Sequence, residues 1–268
     1  MEDSRVVVMD GEDRYEISGF SEPPVAGGFV DEKLVFSVGC CDGIWVWDYQ
    51  TSVTAELVVE GNSDRTILHG VAPIWDEPGF FYTTPSDQPG DIPDIMFYNV
   101  IDEQPHQFLD TSERASASSE EEQSASVGSI VATQDRIGIL FAFGDSTWVE
   151  WYTETTEPAE SPFPAVEEGD TVLELALAPA GDTLAVGREE QLHQGVSTIE
   201  VMEAGRDDNS YSVPDVQALR QLQFDGRYVT ASTHRNDQAS GPSARLILDT
   251  ENALFSYSTD PRIIALDN

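Results

Sequence analysis

Apart from carboxylates, few residues in this chain could do chemistry. Histidine occurs four times, at His69, His106, His193 and His234, with no close ligand spacing among them. Zinc needs a tight set of His, Cys or carboxylate ligands, so these read as solvated histidines, and no metal is expected. The only cysteines, Cys40 and Cys41, are adjacent. A neighbouring pair rarely closes a disulfide, so no cross-linked secreted framework is implied. Beside Asp42 they have no base nearby in sequence, and a packing role is the simpler reading than a nucleophile. There is no Gly-x-Ser-x-Gly, phosphate-binding or dinucleotide fingerprint, and no cofactor is expected.

The carboxylates themselves are too numerous to single out a catalytic pair. Fifty Asp and Glu face 13 Lys and Arg, a formal net charge of −37, and Lys33 is the sole lysine. Such a surface repels itself at ordinary ionic strength. At molar salt the Debye length falls to ~3 Å and the repulsion is screened. The acid is spread evenly, with only Glu120-Glu121-Glu122 approaching a block. The expectation is a protein working in near-saturated salt, with bulk salt cations at its surface. An acidic protein that binds cations or basic partners is the rival. No basic stripe could neutralise phosphates, which argues against nucleic acid. No apolar run is long enough to span a bilayer and the N-terminus has no signal-peptide pattern. Met1-Glu2-Asp3 reads as a native soluble start. The expected locations are the cytoplasm of a halophile or a virion.

The elements that must position these groups are strands. Ile44 and Val46 alternate with Trp45 and Trp47, a period of two. Asp48 breaks the run, and Ala55 to Val59 begins another. Val6 to Asp10 has the same shape. Strand segments that would open each repeat begin near positions 25, 71, 129, 173, 219 and 262, about 45 residues apart except across a Ser/Glu-rich segment at 111–126, read as a flexible loop. Each of the first five is followed by a turn and further short strands. Ser21-Glu22-Pro23-Pro24 is expected to be a linker, because proline lacks the donor a central ladder needs.

A β-branched and aromatic strand ending in Trp47-Asp48, followed by a turn and another strand, resembles the third and fourth strands of a WD-repeat propeller blade. Leu173 to Val186, with its Pro-Ala-Gly-Asp turn, resembles the first half of one. The resemblance covers most of the chain through degenerate motifs. It implies an all-β fold, a single β-propeller over 1–268 of six blades, five complete and one shared by the two ends. In the shared blade Pro261 to Asn268 would lie inside Val6–Asp10 and Tyr15–Ser18, removing an open edge. The alternative is a β-sandwich plus a small β domain.

The tryptophans 45, 47, 148 and 151 are expected between blades. Asp31, Asp76, Asp135, Asp182 and Asp225 read as turn acids of blade hairpins.

WD-type propellers are mostly rigid platforms whose loops bind proteins. The resemblance therefore implies a non-catalytic interaction or structural subunit of a larger assembly, cellular or a virion tail, spike or turret. Binding is expected on the loops joining second and third strands, at 39–43, 84–93, 144–147, 188–196 and 233–243. The candidate residues are Cys40, Asp42, Asp87, Asp145, Glu189, His193, His234 and Arg235. The alternative function is a propeller enzyme cleaving a glycan with axial carboxylates.

Overall fold

The computed structural model describes residues 4–20, 24–38, 43–61, 66–72, 75–84, 93–111, 125–143, 146–164, 171–178, 180–189, 197–204, 209–213, 216–225, 227–235, 244–252 and 254–258. Among them there are strands and turns and no helix. The fold is a β-propeller with five four-stranded antiparallel blades, each running through its strands in chain order. An N-terminal hairpin forms a separate two-stranded sheet. The chain divides into two compact units, 1–127 and 128–268.

In the first unit, β1 (Ser4–Asp10) pairs with β2 (Asp13–Phe20) as the hairpin. The first blade is β3 (Pro24–Val30), β4 (Lys33–Val38), β5 (Ile44–Trp47) and β6 (Glu56–Val59). The second is β7 (Ile67–Ala72), β8 (Gly79–Thr84), β9 (Asp94–Asn99) and β10 (Gln104–Leu109). The first strands β3 and β7 lie against each other.

The two faces of the first blade follow the alternation of its sequence. Trp47, with Phe36 and Val38, packs toward the hairpin residues Val6, Val8 and Ile17. Ile44, with Val30 and Val35, packs toward Phe80, Tyr82 and Tyr98 of the second blade. One strand thus feeds two apolar layers, as sheet-on-sheet packing demands of a doubly covered blade.

The second unit, from Gly128, holds the other three blades save the first residues of their opening strand. They are β11 (Ala125–Ala132), β12 (Arg136–Phe143), β13 (Ser146–Thr153) and β14 (Pro158–Ala159); β15 (Thr171–Leu177), β16 (Thr183–Glu189), β17 (Ser197–Glu203) and β18 (Asn209–Val213); and β19 (Val216–Asp225), β20 (Tyr228–Arg235), β21 (Ala244–Asp249) and β22 (Leu254–Ser258). First strands again adjoin, β15 against β19. Trp151 and Phe163 pack with Val172 and Leu175 between the third and fourth blades.

The repeat is visible in register. In four blades a buried residue, second in the second strand, faces a buried residue near the end of the third: Phe80 faces Tyr98, Ile137 faces Tyr152, Leu184 faces Met202 and Val229 faces Leu248. In the first blade half-buried Leu34 faces Trp47. The residue that follows is Asp48, Asn99, Thr153, Glu203 or Asp249. Four of these cap the next turn. Asp48 Oδ1 accepts Thr51 N–H at 3.1 Å. Asn99 Oδ1 accepts Ile101 N–H at 2.8 Å. Thr153 Oγ1 accepts Glu157 N–H at 3.2 Å. Asp249 Oδ1 accepts Glu251 N–H at 3.1 Å. Short polar side chains stabilise turns through such bonds.

Several expectations are corrected. Pro24 opens β3 opposite Val38 rather than ending a linker; a first strand residue needs no ladder donor. Thr111 is buried, and its hydroxyl donates to the Pro93 carbonyl at 3.3 Å, while Ala125 and Ser126 begin β11, so the Ser/Glu segment outside the described residues is 112–124. Trp148 is 38% exposed and stacks on Phe141, its cross-strand partner, at 5.7 Å. Residues 261–268, expected to complete a sixth blade, lie outside the described residues.

Candidate functional site: the outer edge of the hairpin

The loop face expected from the sequence is only partly on view. Cys40, Asp42, Asp87, Asp145 and His193 lie outside the described residues. Glu189 is the last residue of β16, opposite Thr171 and Ser197. His234 and Arg235 end β20, opposite Gln217 and Val216. These three therefore belong to strand ends, because the hairpins run further than their turn residues indicate. The histidines are likewise not loop residues where described. His69 lies in β7 with Nε2 2.8 Å from the buried Thr83 hydroxyl, and His106 lies exposed in β10. Among the described residues no group of three or more His, Cys, Asp or Glu is placed to hold a metal.

A groove of about 500 Å³ is formed instead within the first unit. One wall is the run Glu16 to Phe20 of β2; the other is Val53, Thr54 and Ala55, with Val38 and Trp45 between them. No residue of β1 lines it. The groove therefore lies along the edge of β2 that β1 leaves unpaired. Five consecutive residues of one strand, whose side chains alternate between faces, can share a wall only along its edge.

Local sequence builds each wall. Arg5 faces Ser18 and Ser4 faces Phe20, so Gly19 is an extra residue, a bulge. Its φ of +102° suits glycine. The bulge turns Phe20 inward, where its ring meets Phe36 at 5.4 Å and Trp45 at 5.6 Å, both edge-on. The opposite wall is a loop held by its own hydrogen bonds. Ser52 N–H donates to the Asp48 carbonyl at 2.8 Å, and Trp47 Nε1 donates to the Ser52 carbonyl at 3.0 Å. Ser52 Oγ donates to the Thr54 carbonyl at 2.7 Å. This pinned loop displays Val53, which is 90% exposed. The indole N–H of Trp45 is shielded from solvent and has no acceptor among the described residues, an unfavourable state for a polar group.

Electrostatics sharpen the loop. Hydrogen bonding from the Thr51 side chain, with the Thr51 N–H and Lys33 as lesser causes, holds the Asp48 carboxyl below its ordinary value despite partial desolvation. At the rim of the groove, Glu16 pairs with Arg5 at 3.3 Å and Arg14 at 2.5 Å. A second, smaller cavity of about 150 Å³ lies between the first two blades, lined by Lys33, Asp48, Glu56, Tyr98 and Glu103 among others. Lys33 Nζ reaches the Val100 carbonyl at 3.4 Å. Burial, then Glu103 and Glu56, push the Tyr98 hydroxyl up.

The sequence reading missed the groove. Its one local signal is Val53, an apolar residue inside a polar turn. Trp45 and Trp47 do share a strand face, as alternation requires, with Trp47 buried and Trp45 half-buried at the groove wall.

No family model matches the sequence, and no curated protein matches it. Solved structures do match in fold. TolB from Acinetobacter baumannii is similar with a TM-score of 0.62 and 13% identity, over 92% of this chain and 57% of that one. An oligogalacturonate lyase in complex with manganese is similar with a TM-score of 0.57 and 11% identity, over 91% of this chain and 69% of the lyase. A Mycobacterium tuberculosis puromycin-hydrolysing peptidase has a TM-score of 0.54 and 12% identity, this chain spanning 44% of its length. At these identities the likeness is one of fold: the chain is a β-propeller, of an architecture that serves enzymes and other proteins alike.

Proposed function

We propose that this protein is a non-catalytic interaction module, a subunit of a larger assembly that works in concentrated salt. A cellular complex or a virion particle would each suit it. The observation that carries the reading is the groove along the edge of β2 opposite β1, with which no described strand pairs, walled by Phe20, Trp45 and the Val53 that its hydrogen-bonded loop displays. An exposed apolar residue on a hydrogen-bonded loop beside an open strand edge is a surface suited to another chain. The even spread of 50 carboxylates supports the salt environment, since screening removes the repulsion that otherwise opposes compaction.

The test is recovery of the tagged full-length chain from its own cells at native salt, with co-purifying polypeptides quantified. A partner at fixed stoichiometry supports the reading. A monomeric chain that turns over a polyuronate, and loses that turnover in Glu174→Gln, overturns it. Glu174 is the inner-strand acid to change because it already accepts the Ser129 hydroxyl at 3.1 Å between β11 and β15.

A further inference from the structure

Five sheets in this protein have four strands; the hairpin sheet has two among the described residues. Its outer edge runs beside the groove. Asp10 faces Asp13 across a two-residue turn. In such a hairpin the closing pair exchanges both backbone hydrogen bonds, and the pattern then alternates. Asp13, Tyr15 and Ile17 thus direct their backbone groups to β1, and Arg14, Glu16 and Ser18 direct theirs outward. No described strand pairs with that edge. From Glu16 to Phe20 the edge runs about 14 Å at ~3.4 Å per residue, enough for one short extended segment.

We propose that this edge receives an extended, basic segment of a partner protein as an added strand. The inference rests on the interaction-module reading and names the chemistry of the partner. Backbone groups of the segment pair with Arg14, Glu16 and Ser18, the main-chain mode of strand addition. Alternate apolar side chains enter the groove against Phe20, Trp45 and Val53. The intervening side chains face out and carry positive charge.

Charge selects this occupant. The hairpin carries Asp10, Glu12, Asp13 and Glu16 against Arg5 and Arg14, and the whole chain is at −37. A second copy of this chain brings the same sign to the interface and is disfavoured. A Lys- or Arg-bearing segment is attracted. In concentrated salt that attraction is weakened, so backbone pairing and apolar burial hold the segment, and charge discriminates only through direct contacts, which are screened less than distant ones.

The experiment is fluorescence anisotropy of labelled eight-residue peptides with the full chain in about 1 M potassium chloride, a concentration at which surface charge is largely screened. The probe alternates Arg and Val. Its controls alternate Glu and Val, or carry N-methyl groups on every second backbone nitrogen. The expected result is saturable one-site binding of the Arg/Val peptide, weakened at least about tenfold by N-methylation and by Val53→Asp. Val53 is 90% exposed, so this variant should keep the wild-type melting temperature. Equal binding of the N-methylated peptide overturns the proposal, as does unchanged binding to Val53→Asp. Binding only by a chain truncated after Ser258 also overturns it, because the groove then belongs to the protein's own C-terminal segment. If no peptide binds while the co-purifying partner stays with Val53→Asp, the edge proposal falls and the interaction-module reading stands.

Discussion

Asp48 shows how a single residue serves two ends. It closes the Trp-Asp strand, and its carboxylate orders the loop that displays Val53. Because its folded-state pKa lies below the ordinary 3.8, the ionised form is the one the turn favours. Its contribution is fully present above that value and fades as pH falls through the lower folded-state value. Asp48→Ala should lower stability by about 1 kcal/mol, the worth of a typical hydrogen bond, and should flatten the acid limb of a pH–stability curve below about pH 4. Asp48→Asn should keep the bond and lose the acid dependence. Denaturant melts at several pH values check both. A second residue-scale case is the turn between β3 and β4. Asp31 and Glu32 both have positive φ, 46° and 61°. That is the primed turn a two-residue hairpin prefers, and aspartate tolerates it better than glutamate. Glu32→Gly should therefore raise stability by roughly 0.5 kcal/mol, relief of strain outweighing the added freedom of the unfolded chain.

At the scale of elements, the blades are bound to each other by side chains from facing strands. Removing Trp47 should cost about 3–5 kcal/mol, the usual figure for an aromatic truncated in a close-packed core, because it lies only 2% exposed under the hairpin. The fourth blade holds a different device. Arg188 of β16 and Glu200 of β17 form an ion pair with side chains 5% and 4% exposed. Arg188 faces Thr198 and Val186 faces Glu200, so the pair is diagonal across two strands on one face. Losing one partner leaves a charge buried. Glu200→Gln should destabilise by about 3–5 kcal/mol, whereas Arg188→Met with Glu200→Leu should be nearly neutral. Chemical denaturation of the single and double variants distinguishes a pair needed for stability from one that only fixes strand register.

For the whole molecule the governing quantity is charge. With a formal net of −37 over 268 residues, self-repulsion acts on the whole chain at once. Exposed pairs such as Arg5–Glu16 contribute little. The melting temperature should climb from dilute buffer to molar salt, as the Debye length shrinks from ~30 Å at about 0.01 M to ~3 Å at about 1 M. Scanning calorimetry across that range checks it, and a flat profile would remove the argument for a saline environment.

Blade repetition was readable from residues alone because its causes are local. Alternation in Ile44 to Trp47, the Asp48 turn and a repeat near 45 residues each depend on a short window of chain, and the structure puts first strands at Pro24, Ile67, Ala125, Thr171 and Val216, close to the expected starts. Strand ends were less readable: His234 and Arg235 continue β20 because the partner strand, rather than residue type, sets where pairing stops. The groove was hidden altogether. It exists because, among the described residues, no strand pairs with the outer edge of β2, while Val53, over thirty residues later in the chain, is held opposite by bonds to Asp48 and Trp47. A vacancy between segments distant in sequence leaves no periodicity in either one. Only the folded arrangement reveals which edge is left unpaired, because pairing is a relation between strands and is encoded in neither strand alone.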